Sequence, residues 1–101
     1  MGAEANFDAI AARMLGEPGI EQRTAFASPG LTVGGKIFAM CSRGRLVFKL
    51  PAERCAELVA AGRGRPFESG GRAMREWVAV DDTSESEALE LAGEALAFVR
   101  R

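Results

Sequence analysis

Residues 30–50 read GLTVGGKIFAMCSRGRLVFKL, a run in which two glycine-bearing turns interrupt three strongly β-forming stretches. Gly34-Gly35 supplies the positive φ that a two-residue hairpin turn needs, so 30–33 and 36–41 are expected to pair as antiparallel strands. Ser42, Arg43 and Gly44 make the next turn, into a third strand at 45–50. There Leu46, Phe48 and Leu50 alternate with Arg45, Val47 and Lys49, which places the two sets on opposite faces. Residues 37–41 are apolar at successive positions. That stretch is therefore expected inside the sheet, with helices or other structure covering each side.

Around this meander the sequence predicts helices. Phe7, Ile10, Ala11 and Met14 share one helical face over residues 4–15, and Gly16 and Pro18 end the helix. Residues 20–27 suit a short leading strand, with Ile20 and Phe26 apolar and Glu21, Gln22 and Arg23 wet, closed by Ser28-Pro29. Pro51 fits the first position of a helix reaching residue 61, with Glu53 in its first turn and Gly62 beyond its end. Cys55, Leu58 and Val59 mark its buried side, Arg54 and Glu57 its wet one. A loop is expected through Arg63, Gly64, Arg65 and Pro66, with Phe67 anchored in the core. Gly70-Gly71 precedes a final strand at 73–80, where Trp77 adds a large apolar surface. Ser84 and Glu87 have the spacing of a reciprocal capping box. They open a last helix whose stripe is Leu89, Ala92, Leu96 and Val99 and whose end carries Arg100 and Arg101. The expected class is α+β, an antiparallel β-meander sheet flanked by N-terminal, middle and C-terminal helices.

At 101 residues the chain suits one domain, 1–101, near the size at which an apolar core suffices without metal or disulfide staples. Its 48% hydrophobic and 27% charged residues exclude a disordered chain. No segment approaches the roughly 18 apolar residues of a membrane span, and Glu4 and Asp8 interrupt the N-terminus. Neither a signal peptide nor a membrane association is expected, and a cytoplasmic location is. With two Cys and no His, the chain can neither close a structural zinc site nor supply the usual proton shuttle at neutral pH. No cofactor or metal is expected. Cys41 falls in a strand and Cys55 in a helix; buried, reduced thiols are the favoured reading, with a bridge between them left open.

Charge is uneven along the chain. Residues 20–80 carry ten Lys or Arg against five Glu, while residues 81–101 carry six acids against two Arg. The candidate binding surface is accordingly Lys36, Arg43, Arg45, Lys49, Arg63, Arg65, Arg72 and Arg75, with Trp77 as a stacking group. Two effects oppose it. Acidic helices folding back beside the cations would cancel their field, and cations at sheet edges and turns also serve solubility. Glu17, Glu21, Glu53, Glu57, Glu68 and Glu76 show no spacing that selects an acid and base pair. The glycine pairs lack the Gly-Lys-Ser/Thr or GxGxxG context of a phosphate loop, and Ser28 lacks GxSxG and a histidine. A nucleophilic thiol would need access and a nearby cation, so core packing is the expected role of Cys41 and Cys55.

GGKIFAMCSRGRLVFKL at 34–50 resembles the TfoX N-terminal-domain family (TfoX/Sxy-like): a glycine turn, Lys, Phe, Ala, a polar turn, Leu and a closing Phe-Lys. GRAMREWVAV at 71–80 is similar to the family's later strand, with an aromatic near its centre. The resemblance covers roughly residues 7–100. It implies an α+β domain and, by family name, a link to transcriptional regulation of natural competence. It further implies a single-domain member without the second, helical C-terminal domain of the longer regulators. Phe26-Ala27-Ser28 stands where many relatives look more like Phe-Gly-Gly. The leading expectation is a non-enzymatic regulatory or interaction module whose partner is a protein, alone or on DNA. Direct nucleic-acid binding through the basic centre is the alternative. A small-molecule enzyme ranks third and would require an enclosed pocket with convergent polar groups. Homodimerisation through sheet edges or the terminal helix is also open.

Overall fold

Helix α1 spans Ala3–Met14 and is followed by four strands in succession: β1 at Ile20–Ala25, β2 at Ser28–Val33, β3 at Lys36–Ser42 and β4 at Arg45–Lys49. Helix α2, Ala52–Ala60, leads into a hairpin of β5, Arg65–Ser69, and β6, Arg72–Val80, and α3 follows at Glu85–Arg100. The structure is a computed structural model and describes residues 2–25, 28–80 and 83–100. Phe26 and Ala27, assigned above to the leading strand, and Arg101, assigned to the end of the last helix, lie outside the described residues, while Ser28 and Pro29, expected to close that strand, begin β2 instead.

Among the described residues the six strands form one antiparallel sheet in the order β1-β2-β3-β4-β6-β5. After β4, helix α2 carries the chain past one strand position, and β6 returns to fill the gap between β4 and β5. The fold class is therefore the α+β arrangement expected. One strand was not: residues 65–69 form the edge strand β5 where a loop was predicted. Pro66 obscures it in the sequence, yet a residue without an N–H is admissible on an edge.

Three hairpins turn through two residues that both have positive φ, at Gly34-Gly35, Arg43-Gly44 and Gly70-Gly71. This is the primed geometry whose twist matches that of the flanking strands. Ser42 belongs to β3, so the second turn is one residue shorter than predicted. Arg43, at φ 55°, is the only non-glycine with positive φ among the described residues.

The alternation of β4 holds as predicted, and the pairings extend it across the sheet. Leu46 opposes Val80 and Cys41, while Val47 opposes Ala79 and Met40. One departure matters. Leu31 opposes Ala39 but the next pair is Thr32 with Ile37, so Phe38 is an extra residue in β3. A bulge of this kind re-aims a side chain. Phe38 thereby joins Leu31, Ala39, Cys41, Leu46, Phe48, Val78 and Val80 in the larger core, while Ile37 and Met40 both go to the other face.

All three helices cover the Phe48 side. Phe7, Ile10 and Ala11 of α1, Cys55 and Leu58 of α2, and Ala88, Leu91, Ala92, Ala95 and Leu96 of α3 belong to that core. The stripe of α3 is thus turned slightly from the predicted one, with Leu89 and Val99 only partly buried at its borders. In α2, Val59 is exposed rather than buried. A helix resting on the end of the sheet buries a narrow strip, and Val59 lies one step of the helix round from Leu58. Pro51 is the residue before the first helical one, not within it. The capping box of α3 is half formed: Ser84 Oγ accepts from the Glu87 N–H at 3.1 Å. The Glu87 carboxylate turns instead to Arg63 Nη2 at 3.3 Å and Thr83 Oγ1 at 3.5 Å.

Candidate functional site

No helix among the described residues covers the opposite face of the sheet. Met40, Val47, Trp77 and Ala79 are nevertheless buried there, with Ile37 and Phe67 packed against them. Burial without a helix follows from the length of the neighbouring side chains. The Phe67 and Trp77 rings meet at 6.3 Å between centroids with a tilt of 50°, and Lys49 Nζ lies 5.6 Å from the Trp77 centroid. Phe67 was predicted to anchor in the core; it belongs to this second, smaller cluster because β5 is a strand and points it to the helix-free side.

The aromatic pair stands between two hollows. One, about 290 Å³, opens between the β3–β4 turn and β5, with Val47, Ala79 and Phe67 as apolar lining and Arg43, Arg45 and Glu68 at its wall. The other, about 490 Å³, lies along β6 and reaches the first residue of α2, with Trp77, Ala73, Met74 and Ala52 as apolar lining and Lys49, Arg72, Arg75 and Glu76 around it. The hairpin explains the second. Pro66 opposes Val78, but the next residue, Phe67, opposes Met74, so residues 75–77 of β6 have no partners on β5. The tip of the hairpin then projects past β4, and residues 72–76 are exposed.

The nine predicted site residues divide over this geometry. Arg43, Arg45, Lys49, Arg72, Arg75 and Trp77 line the two hollows. Arg65 opposes Ala79 at the end of β5 but lines neither hollow; it borders a separate one with Arg63, Gly64, Thr83 and Glu87. Lys36 stands at the sheet margin beside Ile37 and the end of α3. Arg63 lies on the helix side, 3.3 Å from Glu87, and leaves the set. Trp77 is not an open stacking platform: it is 8% exposed, and Lys49 occupies its ring. Phe67 and Met74 were missed as site residues. The alternation of β5 about Pro66 was the one available signal for Phe67; nothing local marked Met74.

The acids of α3 do fold back, but onto the helix side. Arg54 of α2 makes a two-pronged contact with Glu94, Nε to Oε1 at 2.9 Å and Nη2 to Oε2 at 3.2 Å, and reaches Glu57 at 3.1 Å. The Glu94 hydrogen bond, chiefly, raises the Arg54 pKa. Glu94 and Glu87 thus pair with Arg54 and Arg63 on the helix side. Among the described residues, Arg43, Arg72 and Arg75 have no carboxylate within ion-pair distance.

Cys41 and Cys55 are buried and unbridged. Burial pushes both thiols up, with Glu4 and Asp8 adding to the shift at Cys41 and Glu76 at Cys55. Such thiols are poor nucleophiles. Among the described residues no group of three or more His, Cys, Asp or Glu is placed to hold a metal ion, and no helix is long and apolar enough to cross a membrane. No curated protein matches the chain. A family model does: its match runs over residues 12–99, from the last turn of α1 to the last turn of α3, and the chain belongs to the TfoX N-terminal domain family.

Proposed function

We propose that this domain is a non-catalytic regulatory module that works by binding a protein partner through the helix-free face of its sheet, in the cytoplasm. The observation that carries this reading is the separation of charge by the sheet. Glu87 and Glu94 pair with Arg63 and Arg54 on the helix side, while among the described residues Arg43, Arg72 and Arg75 have no carboxylate within ion-pair distance and line the hollows beside the Phe67–Trp77 pair. An apolar floor with a charged rim is how protein-binding surfaces are built. Two buried thiols with raised pKa and hollows open to solvent offer no reacting group, which favours binding over catalysis. Family membership supports a regulatory role of the competence type.

Affinity capture from native cells tests the reading. The wild-type domain, Arg72→Glu/Arg75→Glu and the helix-side control Glu90→Lys are compared. A partner retained by the control and lost by the sheet-face variant is the expected result. Identical captures by all three, or none by the wild type, overturn it.

Direct nucleic-acid binding is the second reading, and the same guanidinium groups favour it. Weighing against it, the Trp77 ring is covered and each hollow carries a carboxylate, Glu68 or Glu76. Phosphate contacts must weaken as salt rises, so retention of labelled DNA that ignores salt removes this reading.

A further inference from the structure

The two hollows repeat one pattern on either side of the Phe67–Trp77 ridge, and this names the chemistry of the partner. Each has an apolar floor flanked by arginines, and each contains a single carboxylate. Resting on the proposed sheet-face reading, we propose that the face binds an extended acidic protein segment with one apolar side chain, laid across the ridge. Carboxylates of the segment meet Arg43 at one end and Arg72 and Arg75 at the other. The apolar side chain seats on Met74, a large hydrophobic residue 39% exposed in the second hollow.

Three observations select this occupant. Arg43, Arg72 and Arg75, without a carboxylate in ion-pair reach among the described residues, call for a partner of opposite sign. A bare phosphate chain would meet Glu68 and Glu76 without gain and would find no open ring to stack on, whereas a peptide can keep its carboxylates at the arginines and present neutral atoms elsewhere. Exposed Met74 beside Ala73 rewards an apolar side chain, which a phosphate backbone lacks.

The backbone adds another observation. At the first turn position, where the other two hairpins carry Gly34 and Gly70, this one carries Arg43 at φ 55°. A side chain in the left-handed region costs roughly 1 kcal/mol relative to glycine. That cost persists where a side chain serves something other than folding, and the Arg43 guanidinium lies at the wall of the first hollow.

The chain has a single tryptophan and it forms the ridge, so its fluorescence reports occupancy directly. The probe is a synthetic peptide alternating Glu and Ser around one central Leu, compared with the same peptide bearing Ser in place of Leu and with a single-stranded oligothymidylate of equal charge. The Leu peptide is expected to change Trp77 fluorescence and to bind more tightly than both comparators. Arg72→Glu/Arg75→Glu is expected to weaken it by at least about tenfold. Arg43→Gly is expected to bind more weakly while unfolding at higher urea than the wild type, a combination that a purely structural arginine would not produce. Equal binding of the Ser peptide removes the apolar seat, tighter binding of the oligonucleotide replaces the peptide with a nucleic acid, and no binding of the Leu peptide overturns the inference. If that peptide fails while Arg72→Glu/Arg75→Glu still loses the captured partner, the sheet-face reading stands and only the acidic segment falls.

Discussion

Lys49 and Trp77 face each other across β4 and β6, and the lysine ammonium rests 5.6 Å from the centre of the indole. Trp77 belongs to the buried cluster of the helix-free side with Val47 and Met40, and the lysine covers its ring where a helix would cover the other face. Its long stem covers apolar surface while the ammonium stays over the ring. A cation held over an indole in this way is worth about 0.5–1 kcal/mol. A double-mutant cycle with Lys49→Met and Trp77→Leu, followed by circular dichroism in urea, is expected to return a coupling of that size. Additive single costs would mean that the contact contributes nothing.

Gly30 sits where Ile37 crosses the same face. A Cβ at Gly30 would come within 2.7 Å of Ile37 Cδ1 and 3.3 Å of the Ala39 carbonyl oxygen. The isoleucine is packed into the second cluster and the carbonyl belongs to β3, so neither yields freely. Gly30→Ala is expected to cost about 1–3 kcal/mol by overpacking. Ile37→Val removes the atom in closest conflict, so the alanine should cost less in that background. An equal cost in both backgrounds would place the strain at the Ala39 carbonyl alone.

The predictability of these features from the sequence follows their range. The Gly34-Gly35 turn and the alternation of Leu46, Phe48 and Leu50 act between neighbours in the chain, and both were legible. The side to which Phe38 points was not, because it depends on a bulge that exists only in the pairing of β3 with β2. Strand β5 was hidden by Pro66, whose missing N–H is harmless only on an edge, and edge position is a property of the whole sheet. The basic character of residues 20–80 was visible, yet the division of Arg63 from Arg72 and Arg75 required knowing which carboxylates α3 brings near. Trp77 as a stacking group failed for the same reason: its cover, Lys49, is a cross-strand partner 28 positions away in the chain.

Asn6 ties the first helix to the approach of the last. Its Nδ2 donates to the Thr83 carbonyl oxygen at 2.9 Å, and the residue is buried. Asn6→Ala removes the donor and leaves a carbonyl short of its partner, at a cost of about 1–2 kcal/mol. Urea unfolding followed by Trp77 fluorescence measures it. The peptide face lies on the other side of the sheet, so peptide affinity should be unchanged in this variant; a parallel loss of affinity would show that the two sides are coupled.

The thiols set an alkaline limit on stability. Burial, first, and nearby carboxylates, second, raise the pKa of Cys41 and Cys55 above the ordinary thiol value of 9.0. Above that pH the unfolded chain gives up these protons while the folded chain keeps them, so the unfolded state is favoured. Stability should therefore fall as pH rises from about 9 toward the folded-state values. The chain contains no tyrosine, which removes the phenol that would titrate in the same range. Comparing urea midpoints of the wild type with Cys41→Ala/Cys55→Ala at about pH 8 and about pH 10 isolates the effect from that of the lysines. The wild type should lose more stability between the two conditions than the double variant does, and an equal loss would mean that the thiols ionise as readily folded as unfolded. Under native conditions near pH 8 both thiols should react with disulfide reagents only as fast as the fold opens, and at once in denaturing urea.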